Sequence, residues 1–264
     1  MTDPTLLIDL DVRGVATLTM NRPELHNAFD DHLIAAMTTQ LRALEADPKV
    51  RVVILAAAGK SFSAGADLNW MKRMAAYSES ENLRDARALA ELMRTLNGLA
   101  KPTIARLQGS AFAGGMGLVA SCDIAVAVPS AVFSLTEVRL GLTPAVISPY
   151  VVRAIGQRMA RRYFLTAERF SAQEALRMGL VHAVVPEEEL DKTVEAFAAD
   201  LLKGGPECLA VTKDLVATVS REKLDSALVE HTATRIAKLR VGAEGQEGIA
   251  SFLEKRAPNW TTSS

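Results

Sequence analysis

Two turns built from small residues are the parts of this sequence that could hold a negatively charged oxygen. The second turn along the chain, residues 108–122, runs for fifteen residues without a charge and contains four glycines. A strand-like apolar run precedes it, and a short helical pattern at 116–122 ends it, so Gly114 lies at a strand-to-helix turn. The first N–H groups of a helix have no partner within the helix and lie at the positive end of its dipole. An amide near Gly114 can therefore bind an oxygen that carries negative charge.

The first turn along the chain, residues 61–68, has the same order of strand, small residues and helix. It follows the apolar run 52–56 and precedes the helical pattern 69–74. Neither turn has the lysine and Ser/Thr of a phosphate-binding loop. Two bare backbone turns of this kind predict two amides that converge on one carbonyl oxygen, which is an oxyanion hole.

Glu137 is the carboxylate best placed to move a proton. No other acid lies between Asp123 and Glu168, and Glu137 directly follows an apolar strand pattern. These features predict a buried position, where desolvation raises the pKa of a carboxyl group toward the range of a useful acid or base. The alternative interpretation is a glutamate at a helix entry or on the surface.

Other kinds of chemistry have no support in the sequence. The glycine spacing does not match a dinucleotide fingerprint, no nucleophile elbow occurs, and the four histidines have no metal-ligand spacing. Cys122 and Cys208 are far apart, which argues against a disulfide framework or a cysteine metal site. We therefore expect no metal and no cofactor, and a reduced, cytoplasmic compartment.

Composition indicates an ordinary globular protein rather than one that binds nucleic acid or membranes. The 264 residues are 49% hydrophobic and 23% charged, and the 30 basic residues are nearly balanced by 31 acidic ones. Such a balance gives no global field for a polyanion or an anionic bilayer, and it permits self-association. No apolar run approaches the roughly 20 residues that span a membrane. The first eleven residues carry acid where a signal peptide carries basic residues.

Periodicity predicts an α/β layered core. A hairpin is expected at 6–10 and 15–20, a helix at 30–46 and a strand at 50–57. A longer helix is expected at 81–100, with an inward face of Leu83, Ala86, Leu89, Ala90, Met93 and Leu96. Further strands are expected at 103–107, 124–128 and 132–135, and helices at 145–155, 157–165, 172–178 and 188–203.

The clearest break in the chain is Gly-Gly-Pro at 204–206. Helical patterns follow it at 207–219, 221–241 and 245–255. These residues are too few for an independent core. We therefore expect a core of residues 1–203 and a helical region, 204–264, that packs on the core or on neighbouring subunits.

The two small-residue turns, in this order and at this separation, resemble those of the crotonase (enoyl-CoA hydratase/isomerase) family. Glu137 and the sequence Phe-Leu-Glu-Lys-Arg at 252–256 add to the resemblance, which covers nearly the whole chain. It implies a spiral of β-β-α units with a C-terminal helical oligomerisation region, in a homotrimer or a dimer of trimers. It also implies that the amides of Ala66 and Gly114 hold the enolate oxygen of an acyl-CoA thioester while Glu137 supplies acid/base chemistry.

The same resemblance implies a set of residues that bind the substrate and its CoA, which is part of the substrate rather than a cofactor. They belong to the segment before the first turn, to both turns, and to the tail. They are Leu25, Ala64, Gly65, Asp67, Leu68, Gly117, Phe252 and Lys255.

This sequence departs from many family members at Gly117. Many enoyl-CoA hydratases have a second glutamate at this position, and the two carboxylates jointly orient the attacking water. Here either Glu137 handles both proton steps, or a backbone group, an ordered water or the substrate supplies the missing contact. One acid/base suffices to move a proton between two carbons, so a double-bond isomerase is the alternative to a hydratase.

Residues 136–150 resemble the branch that hydrates 3-methylglutaconyl-CoA and isohexenylglutaconyl-CoA. These branched substrates carry a distal carboxylate, for which Arg139 is a candidate partner; a structural or solvated ion pair is the alternative reading of Arg139.

Two functions of other classes remain open at this point. Gly117 suggests a non-catalytic acyl-CoA-binding protein. The basic cluster Arg153, Arg158, Arg161 and Arg162 suggests RNA binding, although it has no interleaved aromatic residues.

Overall fold

The computed structural model describes residues 5–261. The strands are β1 (Leu6–Leu10), β2 (Val15–Met20), β3 (Val52–Ala57), β4 (Thr103–Leu107), β5 (Ala111–Phe112), β6 (Ile124–Ala127), β7 (Val132–Ser134), β8 (Phe170–Ser171) and β9 (Ala183–Val184). The helices are α1 (Asp31–Ala46), α2 (Leu68–Met74), α3 (Glu79–Gly98), α4 (Gly114–Ser121), α5 (Ser148–Thr166), α6 (Ala172–Met178), α7 (Leu190–Leu202), α8 (Pro206–Val219), α9 (Ser226–Val241) and α10 (Ala243–Leu253). Short 3₁₀ segments lie at Pro23–Leu25, Glu137–Leu140, Glu187–Glu189 and Asn259–Thr261.

Two sheets run side by side through the core. The larger has the order β1-β2-β3-β4-β6-β9, parallel throughout except at the β1–β2 hairpin. The smaller has the order β5-β7-β8 and is extended by the isolated bridges Ser63–Ala111 and Phe29–Ala66. Successive units of the chain thus each give one strand to the large sheet and a short one to the small sheet. This is the mixed α/β arrangement expected from the sequence.

Strand register brings the two small-residue turns to one edge of the large sheet. Leu55 of β3 is level with Ala105 of β4, and both strands run in the same direction. Their carboxyl ends therefore lie side by side. The turns that follow β3 and β4 leave the sheet at neighbouring points.

Helix α1 has the structure that its pattern predicts. Asp30 caps it by accepting a hydrogen bond from the Leu33 amide at 2.8 Å. Its buried residues are those expected from the spacing, namely Leu33, Ile34, Met37, Leu41 and Leu44.

The inward face predicted for α3 is wrong in its first half. Leu83 and Ala86 are exposed, whereas Leu92, Met93 and Leu96 are buried. Helix α3 contacts α1 and α4, and its buried residues all lie in its second half. A periodic apolar pattern cannot reveal where along a helix its contact with the core begins.

The C-terminal helices α8–α10 have almost no buried side chains of their own. Among the described residues, α8 buries none, α9 buries Leu228 and α10 buries Ser251. They are tied to the amino ends of the parallel strands, where Lys213 pairs with Asp123 at 2.7 Å. This confirms a helical C-terminal region, while the division into 1–203 and 204–264 stays a prediction. Within residues 5–261, no helix combines the length and apolar character needed to cross a bilayer.

Candidate active site

The two turns at the sheet edge contact each other directly. The Phe112 amide donates a hydrogen bond to the Ser63 carbonyl at 2.9 Å, and Ser63 and Ala111 form a parallel bridge. A Cβ atom at Gly115 would lie 2.7 Å from the Ser63 Cβ, so glycine is required for this approach. The two turns that the sequence singles out therefore meet in the backbone, while the convergence of their amides on one oxygen stays a prediction.

Ala66 is held in the first turn by its two neighbours. The Phe29 amide donates to the Gly65 carbonyl and the Asp67 amide donates to the Phe29 carbonyl, both at 2.7 Å. In such a parallel bridge the N–H of Ala66 itself points away from Phe29. Within residues 5–261 this N–H donates no hydrogen bond, so it is free to bind an oxygen.

Gly114 is the first residue of α4, and its N–H also has no hydrogen-bond partner in the described chain. Ala113 before it has φ 47° and ψ −119°, a conformation that costs an ordinary residue about 1–3 kcal/mol. Hydrogen bonds keep Ala113 there, because its amide donates to the Ser134 carbonyl at 3.0 Å. The Gly114 amide thus begins a helix whose positive dipole end faces the turn.

Phe29 connects the two amides. Its backbone pairs on either side of Ala66, and its ring packs on Gly114, where an added Cβ would lie 3.0 Å from the ring. The distance between the two turns is therefore set partly by one aromatic side chain.

Glu137 reaches this edge through the small sheet. Strand β7 pairs with β5, which leads into α4, and Glu137 follows β7 at the start of the 3₁₀ segment. The Oε2 atom of Glu137 is buried and has no hydrogen-bond partner among the described residues. Burial raises the pKa of this carboxyl group, as its position in the sequence predicts. A buried oxygen of this kind is costly to leave unpaired, which points to a reacting partner.

Gly117 is buried beneath Ile147. A Cβ atom at Gly117 would lie 2.8 Å from the Ile147 Cβ, closer still to its Cγ2, and 3.2 Å from the Met93 Cε. No side chain fits at position 117 unless Ile147 moves. The place of a second carboxylate is filled by an apolar residue.

The residues expected around the CoA nucleotide are grouped beside the first turn. Leu25 and Leu68 are exposed, and the Ala64 amide donates to the His26 carbonyl at 2.9 Å, which joins the turn to the Leu25 segment. The carboxylate of Asp67 is already in use. It accepts from the amides of Asn69 and Trp70, at 2.8 and 3.1 Å, and so caps α2.

Within residues 5–261, the contacts described for α10 tie Phe252 and Lys255 to parts of the chain other than the two turns. Helix α10 packs on α8 and α9, and the Trp260 carbonyl after it accepts from Arg51 at 3.0 Å. Arg51 precedes β3, whereas Ala66 follows its other end. A strand of six residues spans about 17 Å at roughly 3.3 Å per residue, so the tail is attached at the end of β3 opposite to Ala66. Phe252 is 82% exposed. Arg139 is also exposed and forms no ion pair with a described residue.

Several residues that shape the site were not predicted from the sequence. They are Asn27, Phe29, Ser63, Ala113 and Ile147. An asparagine can adopt left-handed backbone at little cost, so a polar Asn27 between Pro23 and the apolar Phe29 was a usable signal. No comparable signal marks Ala113, because alanine rarely adopts its conformation.

The family model for enoyl-CoA hydratase/isomerase matches residues 11–263 of the chain. The crystal structure of an enoyl-CoA hydratase from Shewanella pealeana has a TM-score of 0.95 and 46% identity, covering 97% of this chain and 96% of that one. The short-chain-enoyl-CoA hydratase of Clostridium acetobutylicum is 33% identical, and the match covers 92% of this chain and 92% of that one. The mevalonyl-coenzyme A hydratase of Aspergillus fumigatus is 33% identical over 97% of this chain and 95% of its own. These matches confirm the crotonase-type fold, and the chain belongs to the enoyl-CoA hydratase/isomerase family of enzymes.

Proposed function

We propose that this enzyme is a hydratase that adds water across the 2,3 double bond of a branched or glutaconyl-type 2-enoyl-CoA. The observation that carries the proposal is the buried Oε2 of Glu137, which lacks a partner among the described residues and follows the strand that pairs beside the Gly114 turn. Two free amides at converging turns, those of Ala66 and Gly114, give the site a place for the thioester oxygen.

In the proposed reaction, the water oxygen adds to C3 of the enoyl group while the Glu137 carboxylate accepts a proton from the water. The electron pair of the double bond moves to the thioester oxygen, and the resulting enolate is held by the amides of Ala66 and Gly114. The enolate then collapses and takes the proton from Glu137 at C2. The product is a 3-hydroxyacyl-CoA, and Glu137 returns to its carboxylate form.

A double-bond isomerase is the second candidate, because Ile147 fills the space where a second carboxylate would stand at Gly117. In that reaction Glu137 removes a proton from one carbon and returns it to another, and no water is consumed. Incubation with enoyl-CoA substrates in ¹⁸O-labelled water separates the two. A hydratase product gains the heavy oxygen, whereas an isomerase product does not.

The substrate class is proposed from two sources. Residues 136–150 resemble the branch that acts on branched glutaconyl-CoA esters, and one relative is named for mevalonyl-coenzyme A, a branched acyl group. We propose that Arg139, exposed and unpaired within the described chain, faces the distal carboxylate of such a substrate. A panel of acyl-CoAs tests this. 3-Methylglutaconyl-CoA should give a higher kcat/KM than crotonyl-CoA, and Arg139→Gln should reduce only the former.

We also propose a homotrimer or a dimer of trimers in which Phe252 and Lys255 reach the CoA site of a neighbouring copy. Exposed apolar residues on the C-terminal helices support self-association; they are Val216, Val219, Val229, Ile236, Val241, Ile249, Phe252 and Leu253. The mass measured by light scattering checks the assembly. A monomer with full activity would contradict both parts.

A further inference from the structure

Asn27 is a fully buried residue with every hydrogen-bonding group in use. Its side-chain Nδ2 donates to the carbonyls of Ala58 at 2.8 Å and Ser61 at 2.9 Å, and its Oδ1 accepts from the Arg22 amide at 2.9 Å. Its own amide donates to the Arg22 carbonyl, and its carbonyl accepts from the Ser63 hydroxyl, both at 2.9 Å. Asn27 thus joins the end of β3 to the turn that follows it.

Ser63 extends this network into the turn. Its buried hydroxyl donates to the Asn27 carbonyl and accepts from the Gly65 amide at 3.3 Å. Its backbone carbonyl accepts from the Phe112 amide of the second turn. Ser63 therefore holds the residue before Ala66 through its side chain and contacts the second turn through its main chain.

The network ends at the amide of Ala66. Asn27 has φ 52°, in the left-handed region, and this bend directs the chain so that Phe29 pairs with Gly65 and Asp67 on either side of Ala66. None of these hydrogen bonds uses the Ala66 N–H itself. These hydrogen bonds determine only the position and the direction of that N–H.

We propose that Asn27 and Ser63 are positioning residues for the reaction: they hold the Ala66 amide at the point where the thioester oxygen becomes an enolate. The inference rests on the oxyanion role proposed for Ala66. An oxyanion donor is effective only when it is held within about 0.5 Å of its productive position. A hydroxyl that merely filled the core would affect stability and leave the chemical step unchanged.

The main test is Ser63→Ala, with Thr103→Val as the matched control. Both changes remove a buried hydroxyl that donates one hydrogen bond and accepts another, since the Thr103 hydroxyl donates to the Asp123 carboxylate and accepts from the Asp123 amide, both at 2.9 Å. Thr103 lies at the amino end of β4, away from the site. We expect Ser63→Ala to lower kcat by about 10- to 100-fold, less than the roughly 10²- to 10³-fold loss when a whole oxyanion donor is removed, with little change in KM. Thr103→Val should lower stability alone.

Asn27→Asp is the second variant. It keeps the shape of the side chain but turns the donor toward Ala58 and Ser61 into an acceptor. We expect a larger loss of kcat than with Ser63→Ala, and Ser63→Cys, which retains a weak donor and acceptor, should recover part of the rate. If Asn27→Asp does not fold, the two Ser63 variants still decide the question.

A spectroscopic measurement reports the amide independently of turnover. An unreactive saturated acyl-CoA with a ¹³C-labelled thioester carbonyl is bound to the enzyme, and its infrared carbonyl band is compared with that of the free ligand. We expect the band to move to lower frequency in the wild-type enzyme and in Thr103→Val, and to move less in Ser63→Ala.

An unchanged kcat together with an unchanged carbonyl band in Ser63→Ala would overturn the inference. If the wild-type enzyme polarises the carbonyl but hydrates no enoyl-CoA, the hydratase proposal fails while the positioning role stands. If the wild-type enzyme does not shift the band, the oxyanion role of Ala66 fails and the inference fails with it.

Discussion

The corner that holds Ala66, Gly114 and Glu137 differs sharply from the C-terminal helices in how it is stabilised. Buried hydrogen bonds and close glycine contacts fix the corner within one chain. Helices α8–α10 instead present large exposed apolar residues, and α8 buries no side chain among the described residues. The corner is thus preorganised by its own chain, whereas the C-terminal helices leave apolar surface exposed within residues 5–261. Changes in the corner should therefore alter chemistry or folding, and changes in the tail should alter association.

Glu137→Gln should give the largest effect. Removal of the acid/base group should lower kcat by about 10²- to 10⁴-fold. Because burial raises the pKa of Glu137, the wild-type native state loses stability as the pH rises from about 4.5, the ordinary value, through the raised pKa. The variant cannot ionise, so it should melt at a higher temperature than the wild type at neutral pH and at the same temperature below pH 4.5. Activity assays and melting curves at several pH values check this.

The wild-type pH profile supplies the control for Glu137. The proposed mechanism needs the carboxylate in the free enzyme, so kcat/KM should rise with pH through the raised pKa and fall as the pH drops below it. A flat profile across the acidic range, or full turnover by Glu137→Gln, would remove Glu137 from the mechanism.

Gly117→Ala should give the next largest effect, a loss of stability. The added Cβ would meet the side chain of Ile147, and overpacking of this kind costs about 1–3 kcal/mol of unfolding free energy. Gly98→Ala is the matched control, because a Cβ at Gly98 meets nothing within 4 Å. Ile147→Ala should recover part of the loss when it is combined with Gly117→Ala. Urea denaturation of the four variants measures the coupling, and additive effects would show that the two positions do not compete for one space.

Phe252→Ala tests the other side of the comparison. The side chain is 82% exposed in the single chain, so its loss should hardly change folding unless another copy covers it. We expect KM for acyl-CoA to rise several-fold, with kcat changed less. An exposed apolar residue outside the tail, Val12→Ala at 87% exposure, is the control. Equal kinetics for Phe252→Ala and the wild type would argue against a role for the tail in CoA binding.

Lys213→Met should give the smallest effect. The ion pair between Lys213 and Asp123 joins α8 to the sheet, with side-chain exposures of 18% and 28%. We expect a loss of about 1 kcal/mol in unfolding free energy. Lys203→Met, which removes a pair exposed at 74% and 71%, should cost less. Equal losses in denaturation experiments would mean that burial does not strengthen the Lys213 pair.

Much of the core could be predicted from local patterns because its elements carry complete local signals. Helix α1 has a cap, an apolar stripe and a proline beyond its end, and all five of its predicted inward residues are buried. The two turns could be predicted because glycine and alanine leave few alternatives at a strand-to-helix junction. The burial of Glu137 followed from the apolar strand before it.

The features of the fold and the site that could not be predicted depend on contacts between distant parts of the chain. Leu83 and Ala86 of α3 are exposed although they share the apolar pattern of its buried residues, because the pattern alone does not say where contact with the core begins. Ile147 lies 30 residues from Gly117 in sequence, so the filled space between them is visible only in three dimensions. Phe252 and Lys255 have an assignment by resemblance that a single chain does not test.

The ring of Phe29 has a consequence for altering this enzyme. Its backbone pairs beside Ala66 while its ring packs on Gly114, so ring size acts as a spacer between the two amides proposed as oxyanion donors. Substituting leucine, tyrosine or tryptophan would change that gap without deleting a single main-chain hydrogen bond. A set of these three variants and the wild type would therefore change the distance between the Ala66 and Gly114 amides in steps. We expect the tolerance for oxygen esters or amides in place of thioesters to change with it.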